Sequence, residues 1–490
     1  MLFTSALFAW LYLPVVLLAF FAIGRWSASA ASLFLFVASL VFYAAWMPQF
    51  TLLLLVSICF NFVVGKRISN DRSRAWLLFG VGANLLLLAY YKYSGFFLTN
   101  INALTGAQWD FGQIVLPIGI SFFTFTQIAF LVDAYSKEVR EPSFIHYGLF
   151  VTFFPHLVAG PVLHHAQMMP QFSQAGTYRF DSRNFTVGLG IFAIGLIKKI
   201  VLADGVSPYA DAVFDAADSG QSITLEEAWL GALAYSMQLY FDFSGYSDMA
   251  VGLSLMLNIQ LPFNFNSPYR ATTISEFWRR WHISLSSFLR DYLYIALGGN
   301  RRGLARRYAN LLTTMVLGGL WHGASWSFVL WGTLHGLYLV IQQVWTRAFN
   351  RGVKQSVEAK RPGALPTRVM SWALTMLFVI LAWVLFRATS LEGARTIYAA
   401  MMGLTAEETP LAMWNAGLKT RTGWLLIACL SVLALWPRNS NVLGVDLRKW
   451  VEKGGTRTAF AAGVAGTVVC LLILLNNTRG VAGAFIYFNF

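Results

Sequence analysis

Residues 369–388 read VMSWALTMLFVILAWVLFRA, a run whose only charged side chain is Arg387, next to its end. A helix needs roughly 20 largely apolar residues to cross the hydrocarbon core of a bilayer. This run supplies them without a glycine or proline to interrupt it. Comparable runs recur at 3–23, 31–47, 76–91, 113–133, 325–346 and 458–475. The whole chain is 57% hydrophobic and only 12% charged, with a mean hydropathy of +0.58. A soluble globular chain carries about a quarter charged residues. The expectation is an all-α polytopic membrane protein with roughly 10–14 membrane helices or re-entrant segments. No composition break marks a soluble domain, an internal repeat or a low-complexity tail, so 1–490 reads as one membrane-embedded domain. Residues 1–10 carry no Lys or Arg and Pro14 interrupts the apolar run, so the start reads as a first membrane helix rather than a cleavable signal.

The formal net charge of +14 does not point to nucleic acid, because the basic residues gather in short connections between spans. Lys66, Arg67, Arg72 and Arg74 form one cluster. Arg347, Arg351, Lys354, Lys360, Arg361 and Arg368 form a second, and Arg438, Arg448, Lys449, Lys453 and Arg457 a third. Such clusters mark cytoplasmic connections. The stretch holding Asp204, Asp211, Asp215, Asp218, Glu226 and Glu227 contains no Lys or Arg and is expected outside, as is the N-terminus. Lys198 and Lys199, which end the span leading into that stretch, fit poorly; either they snorkel or the topology differs there. Cys59, Cys429 and Cys470 lie inside apolar runs without paired spacing, which argues against a disulfide framework or zinc site and for buried structural thiols.

Polarity divides the chain into scaffold segments 1–111 and 337–490 and a centre, 112–336, studded with His, Asp, Arg, Asn and Trp. Charged groups at membrane depth are costly unless paired or wetted, so the centre marks function. One run there, Gln238-Leu239-Tyr240-Phe241-Asp242-Phe243-Ser244-Gly245-Tyr246-Ser247-Asp248, places two carboxylates among apolar neighbours. It reads either as support for a site or as a polar turn between spans, with Gly245 permitting a break or close packing. A second, Ser275-Glu276-Phe277-Trp278-Arg279-Arg280-Trp281-His282-Ile283-Ser284, reads as an amphipathic interfacial helix with Glu276 and Arg280 as i,i+4 partners. The third is Gly318-Gly319-Leu320-Trp321-His322-Gly323. Glycines there permit close approach, and Trp321 can wall a site. A buried neutral imidazole can take a proton from a hydroxyl, although a membrane histidine is as often a structural residue.

Several chemistries lack their signatures. G-x-S-x-G, H-E-x-x-H and Walker-type glycine loops are missing. Five positions beyond His322 and His282 stand Ser327 and Ser287, so the H-x-x-x-x-D pattern of glycerolipid acyltransferases is also missing. His156, His164 and His165 bring no carboxylate or thiolate spacing suited to a metal.

These three runs, with Phe154-Pro155-His156-Leu157-Val158-Ala159-Gly160-Pro161 and Gly298-Gly299-Asn300-Arg301, resemble the membrane-bound O-acyltransferase family, in its bacterial polysaccharide branch. The resemblance implies helices around a tunnel, the family's catalytic histidine at His322 and its second polar position, Asn or His by branch, at His282. It further implies a bacterial inner membrane protein that moves acetyl from acetyl-CoA toward hydroxyls of an exported polysaccharide, alginate first and cellulose next. Periplasmic partner proteins and polymer synthesis and export machinery would take part, with no bound cofactor and no metal. Asp242, Asp248, Trp321 and Tyr240 are then site support. Arg279, Arg280, Arg301 and Arg302, with Arg306 and Arg307, would hold donor phosphates, a role compatible with their marking a cytoplasmic face. The alternatives are D-alanylation within the same family and a proton-coupled transporter, which intramembrane His, Asp and Arg also serve; the internal symmetry usual in transporters is not evident.

Overall fold

The computed structural model describes residues 1–110, 112–136, 139, 143–349, 365–405, 411–478 and 485–486. Every regular element among them is helical. Five helices are long and apolar enough to cross a membrane: Pro48–Asp71, Arg74–Thr105, Ser182–Asp218, Leu365–Arg387 and Gly455–Thr478. The pair Thr420–Leu435 and Ser440–Val451, bent by 59°, adds a sixth as a broken span, and Phe8–Gly24, Ala28–Ala44 and Ile120–Tyr135 are shorter apolar helices. The all-α membrane architecture is therefore present. Other long helices, such as Gly303–His322 and Trp326–Phe349, carry the polar residues that lower the hydropathy of the centre. Of the second basic cluster, Arg351, Lys354, Lys360 and Arg361 lie outside the described residues.

The chain forms two compact units that are discontinuous in sequence. The first comprises Met1–Ile197, Ser244–Phe263 and Ser440–Asn489. Polar side chains tie its helices together where water cannot. Asn61 and Asn84 exchange amide hydrogen bonds at 3.2 and 2.6 Å between the 48–71 and 74–88 helices. His165 Nδ1 lies 2.7 Å from Asp133 Oδ2, both buried, so this histidine serves packing in the first unit. The 182–196 helix crosses the later half of Leu225–Met256 so closely that a Cβ on Gly188 would stand 2.6 Å from the Gly252 carbonyl oxygen. Gly195 meets the Gly245 carbonyl oxygen in the same way. Gly245 thus provides close packing rather than a break. Residues 225–256 form one uninterrupted helix, so the 238–248 run is not a polar turn.

The second unit comprises Lys198–Phe243 and Asn264–Asn439. Its centre is a hairpin of Gly303–His322 and Trp326–Phe349, in which Gly319 sits against the Phe328 carbonyl oxygen and Gly332 against that of Met315. Any side chain at either position would push the two helices apart. Beside the hairpin, the expected single interfacial helix over 275–286 is instead two short ones, Ile274–Arg280 and Ile283–Phe288. Thr273 caps the first through its Oγ1 on Glu276 N–H, while Glu276 accepts from Thr272 N–H and Oγ1, a reciprocal cap. Phe277, Trp278, Trp281 and Leu285 are all buried, so this segment packs inside protein rather than lying on a bilayer surface. The thiols go the other way. Cys59 and Cys429 are exposed on apolar helices, because an apolar run marks residues that avoid water without saying whether lipid or protein covers them.

Candidate active site

His282 stands in the break between the two short helices with φ of +43°, in the left-handed region that few non-glycine residues adopt. The neighbouring segment holds it there. Ile283 N–H donates to the Asn264 carbonyl oxygen at 2.9 Å, and Asn266 N–H donates to that of Arg280 at 2.9 Å. The Asn264 side chain completes the clamp: its Oδ1 accepts from Ser284 N–H at 3.0 Å and from Ser284 Oγ at 2.7 Å, and lies 3.3 Å from His282 Nδ1. A backbone N–H can only donate, so the atom it meets is the amide oxygen, and His282 Nδ1 must then carry a hydrogen. In the neutral ring Nε2 is the basic nitrogen. Strain at a single residue, stabilised by surrounding hydrogen bonds, is a pattern found at functional sites.

His322 closes the 303–322 helix, 4% exposed, with Gly323 leading the chain away in extended conformation. Its ring lies 4.9 Å from Trp321, 5.1 Å from Trp331 and 5.1 Å from Phe386, measured between centroids. The His282 ring lies 6.2 Å from the same Trp321 and 4.7 Å from Phe243. The two histidines, forty residues apart in sequence, therefore converge on one indole. Trp331 continues this row of edge-on aromatic contacts to His335, 4.9 Å away and fully buried, whose Nδ1 lies 3.3 Å from the donating Trp278 Nε1.

The remaining predicted residues separate by role. Tyr240 is buried in an aromatic cluster with Tyr269 and Phe265, and its ring is 6.4 Å from Trp281. Asp242 receives Lys199 Nζ at 2.7 Å, and the same ammonium reaches Asp204 at 2.8 Å. Lys199, 3% exposed, thus does not snorkel; it is neutralised in place by two carboxylates. Asp248 belongs to the first unit and accepts from Ser440 Oγ at 2.6 Å. Arg280 gives Nε and Nη2 to Glu276 and Nη1 to the Asn266 carbonyl oxygen, which commits it to the clamp around His282. Burial raises the Glu276 carboxyl, but the bonds from Thr272 and Arg280 outweigh it and hold the group below its ordinary value. Arg279, Arg301 and Arg302 are exposed.

Arg290, Asn300, Arg307, Trp278 and Met315, among others, line a cavity of about 300 Å³. Two buried polar atoms on residues lining it, Arg307 Nε and Gln343 Oε1, have no hydrogen-bond partner among the described residues. Trp278 links this cavity to the histidines, since its ring meets Trp331 edge-on at 5.8 Å, and Trp331 contacts His322. Sequence reasoning missed Asn264 and Gln343; the only hint of the first was two asparagines in an apolar Pro262-to-Pro268 segment. Among the described residues no group of three His, Cys, Asp or Glu side chains is placed to hold a metal.

Residues 103–386 match the membrane-bound O-acyltransferase family. The chain is 42% identical over 435 residues to the peptidoglycan O-acetyltransferase of Helicobacter pylori, covering 82% of this chain and 80% of that one. It is 43% identical over 411 residues to the probable alginate O-acetylase of Pseudomonas aeruginosa, covering 82% and 75%. A teichoic acid D-alanyltransferase of Streptococcus thermophilus is more distant, 26% identical over 281 residues, 55% of this chain and 68% of that one. With an enzyme family matched across its polar centre and relatives aligned along most of its length, the chain is an acyltransferase and belongs to the membrane-bound O-acyltransferase family.

Proposed function

We propose that this enzyme transfers acetyl from acetyl-CoA to hydroxyls of an exported glycan polymer, at a site made by His322 and His282. The observation that carries this reading is the convergence of both imidazoles on Trp321, reached through Trp331 and Trp278 from a cavity flanked by arginines. His322 takes the proton of the acceptor hydroxyl as its oxygen attacks the thioester carbonyl. The tetrahedral intermediate expels the CoA thiolate, which recovers that proton from the imidazolium, so the products are the ester and free CoA. His282, with Nδ1–H fixed on Asn264 and Nε2 basic, is suited to share the proton rather than to donate a hydrogen bond to the donor carbonyl. The membrane is a bacterial inner membrane, with the basic connections cytoplasmic and the acidic 204–227 stretch and N-terminus periplasmic.

Arg307 lines the cavity and is better placed for donor phosphates than Arg280, which Glu276 and Asn266 occupy, or Arg290, which Asp291 engages through Nε and Nη2; Arg301 and Arg302 stand just before the 303–322 helix and Arg306 in its first turn. Both O-acetylating relatives, at 42–43% identity, stand nearer than the D-alanylating one at 26%, which favours acetyl over D-alanyl as the cargo. The acceptor is alginate first, with peptidoglycan glycan and cellulose as the comparison set, and delivery to the polymer is direct or through a periplasmic partner.

The test is turnover of acetyl-CoA by the purified protein, read as CoA release and as ester formed on alginate, peptidoglycan and cellulose fragments. CoA release dependent on none of these acceptors, nor on periplasmic extract, would overturn the reading. Arg307→Ala is expected to raise KM for acetyl-CoA about tenfold, the value of one charge-assisted contact near 1.5 kcal/mol, with kcat little changed. Asn264→Ala is expected to do the opposite. It frees the His282 ring to turn and costs about 10²-fold in kcat, with KM for the donor held. Steady-state kinetics on both variants separates binding from orientation, and an unaltered kcat in Asn264→Ala would remove the orienting role.

A further inference from the structure

A second set of residues in the same unit builds a site of different chemistry. Two adjoining cavities, of about 250 and 140 Å³, share Trp372 and Leu435. The smaller is apolar and is lined by Leu233, Met237, Met376, Val379 and Ile380 among others. The larger is rimmed by Arg270 and Arg368, with Leu365 and Val369 beside them. Both guanidiniums are exposed, and neither makes an ion pair or hydrogen bond among the described residues. Glu276, the acidic residue on the adjacent short helix, is already engaged by Arg280 and Thr272.

The wall of this groove is fixed rather than adaptable. Trp372 Nε1 donates to the Tyr269 carbonyl oxygen at 2.8 Å, and Tyr269 Oη donates to that of Ser236 at 2.5 Å. The outer lip is apolar and open, with Leu365 74% and Val369 52% exposed on a helix that crosses the bilayer. Two cations at one end of an apolar slot, at the N-terminal end of a membrane helix, form a template with one chemical complement: an anionic head joined to a hydrocarbon chain.

We propose that this groove binds one anionic phospholipid of the leaflet at the Leu365 end of the 365–387 helix. Its phosphate lies between Arg270 and Arg368 and one acyl chain lies along Trp372, Met376 and Leu435. Juxtamembrane arginines attract anionic lipid by about fivefold each, so two of them favour it over zwitterionic lipid by about 25-fold. None of these residues belongs to the acyl-transfer machinery proposed above, and the lipid site does not depend on that reading.

The experiment is native mass spectrometry of the full chain in detergent, titrated with phosphatidylglycerol or phosphatidylcholine, alongside thermal melts. The expected result is one phosphatidylglycerol retained with the stated preference. Arg270→Gln with Arg368→Gln abolishes the preference, and Ala434→Trp, or Ser431→Phe should that variant not fold, expels the lipid by filling the apolar end. CoA release remains at the wild-type level in the arginine pair variant. Equal retention of the two lipids by the wild type would overturn the proposal. So would preference unchanged in the variants, or displacement of the lipid by glycerol 3-phosphate, which would mark a soluble phosphate site instead.

Discussion

Replacing His322 with glutamine is expected to lower kcat for acetyl transfer by about 10³-fold, in the middle of the range that a positioned acid–base group contributes. Glutamine keeps a polar, hydrogen-bonding side chain of comparable length in the ring pocket between Trp321, Trp331 and Phe386, but offers no basic nitrogen. The fold around it should hold, because the hairpin is closed by Gly319 and Gly332 rather than by the imidazole. KM for acetyl-CoA should stay near the wild-type value, since the residues lining the arginine-flanked cavity are untouched. His335→Gln is the internal control. His335 is equally buried and lies on the same aromatic row, but its assigned task is to accept from Trp278, which a glutamine oxygen can do. A loss confined to His322→Gln identifies chemistry. Equal losses in both would show that the aromatic row, rather than a base, had been damaged. Polymer acetylation at the wild-type level by a correctly inserted His322→Gln protein would end the general-base assignment.

The helical membrane architecture was legible because the bilayer imposes it: runs such as 369–388 can satisfy their backbone groups only as helices. For His322 the residues alone left a catalytic and a structural role even, because glycines and a tryptophan suit either, and the family resemblance carried the assignment. Less visible were features that depend on partners distant in sequence. Lys199 looked like a residue that had to escape to the interface, because Asp242, its more deeply buried partner, stands 43 positions away; Asp204, five positions on, was its one partner near in sequence. The break at His282 was hidden for another reason. No glycine or proline marks it, and the left-handed backbone is imposed by Asn264 and Asn266 from a separate segment. With the helix broken there, Trp278 and Trp281, which read as membrane-surface anchors, are instead buried: Trp278 joins the arginine-flanked cavity to the histidines through Trp331, and Trp281 packs among Tyr240, Phe265 and Trp383. Cys59 and Cys429 show the converse ambiguity, because hydropathy does not distinguish lipid from protein as the apolar surroundings.

Lys199→Met is expected to destabilise the protein by about 3–5 kcal/mol, the cost of removing one partner from a buried ionic group. The ammonium is shared by Asp242, 2% exposed, and Asp204, 22% exposed, at 2.7 and 2.8 Å. Its loss leaves the deeply buried Asp242 carboxylate without that cation, whereas Asp204 retains some contact with solvent. Lys199→Met combined with Asp242→Asn should therefore recover most of the loss, and the non-additivity measured by denaturant unfolding in detergent is the coupling energy of the pair. The same double variant decides what Asp242 is for. If it supports the site by holding its own helix to the Lys199 turn, restoring stability restores CoA release as well. If stability returns and turnover does not, the Lys199–Asp242 charge pair serves the reaction itself, and the assignment of Asp242 to support is wrong. Additive single effects would show instead that the ion pair contributes little beyond the packing of its two side chains.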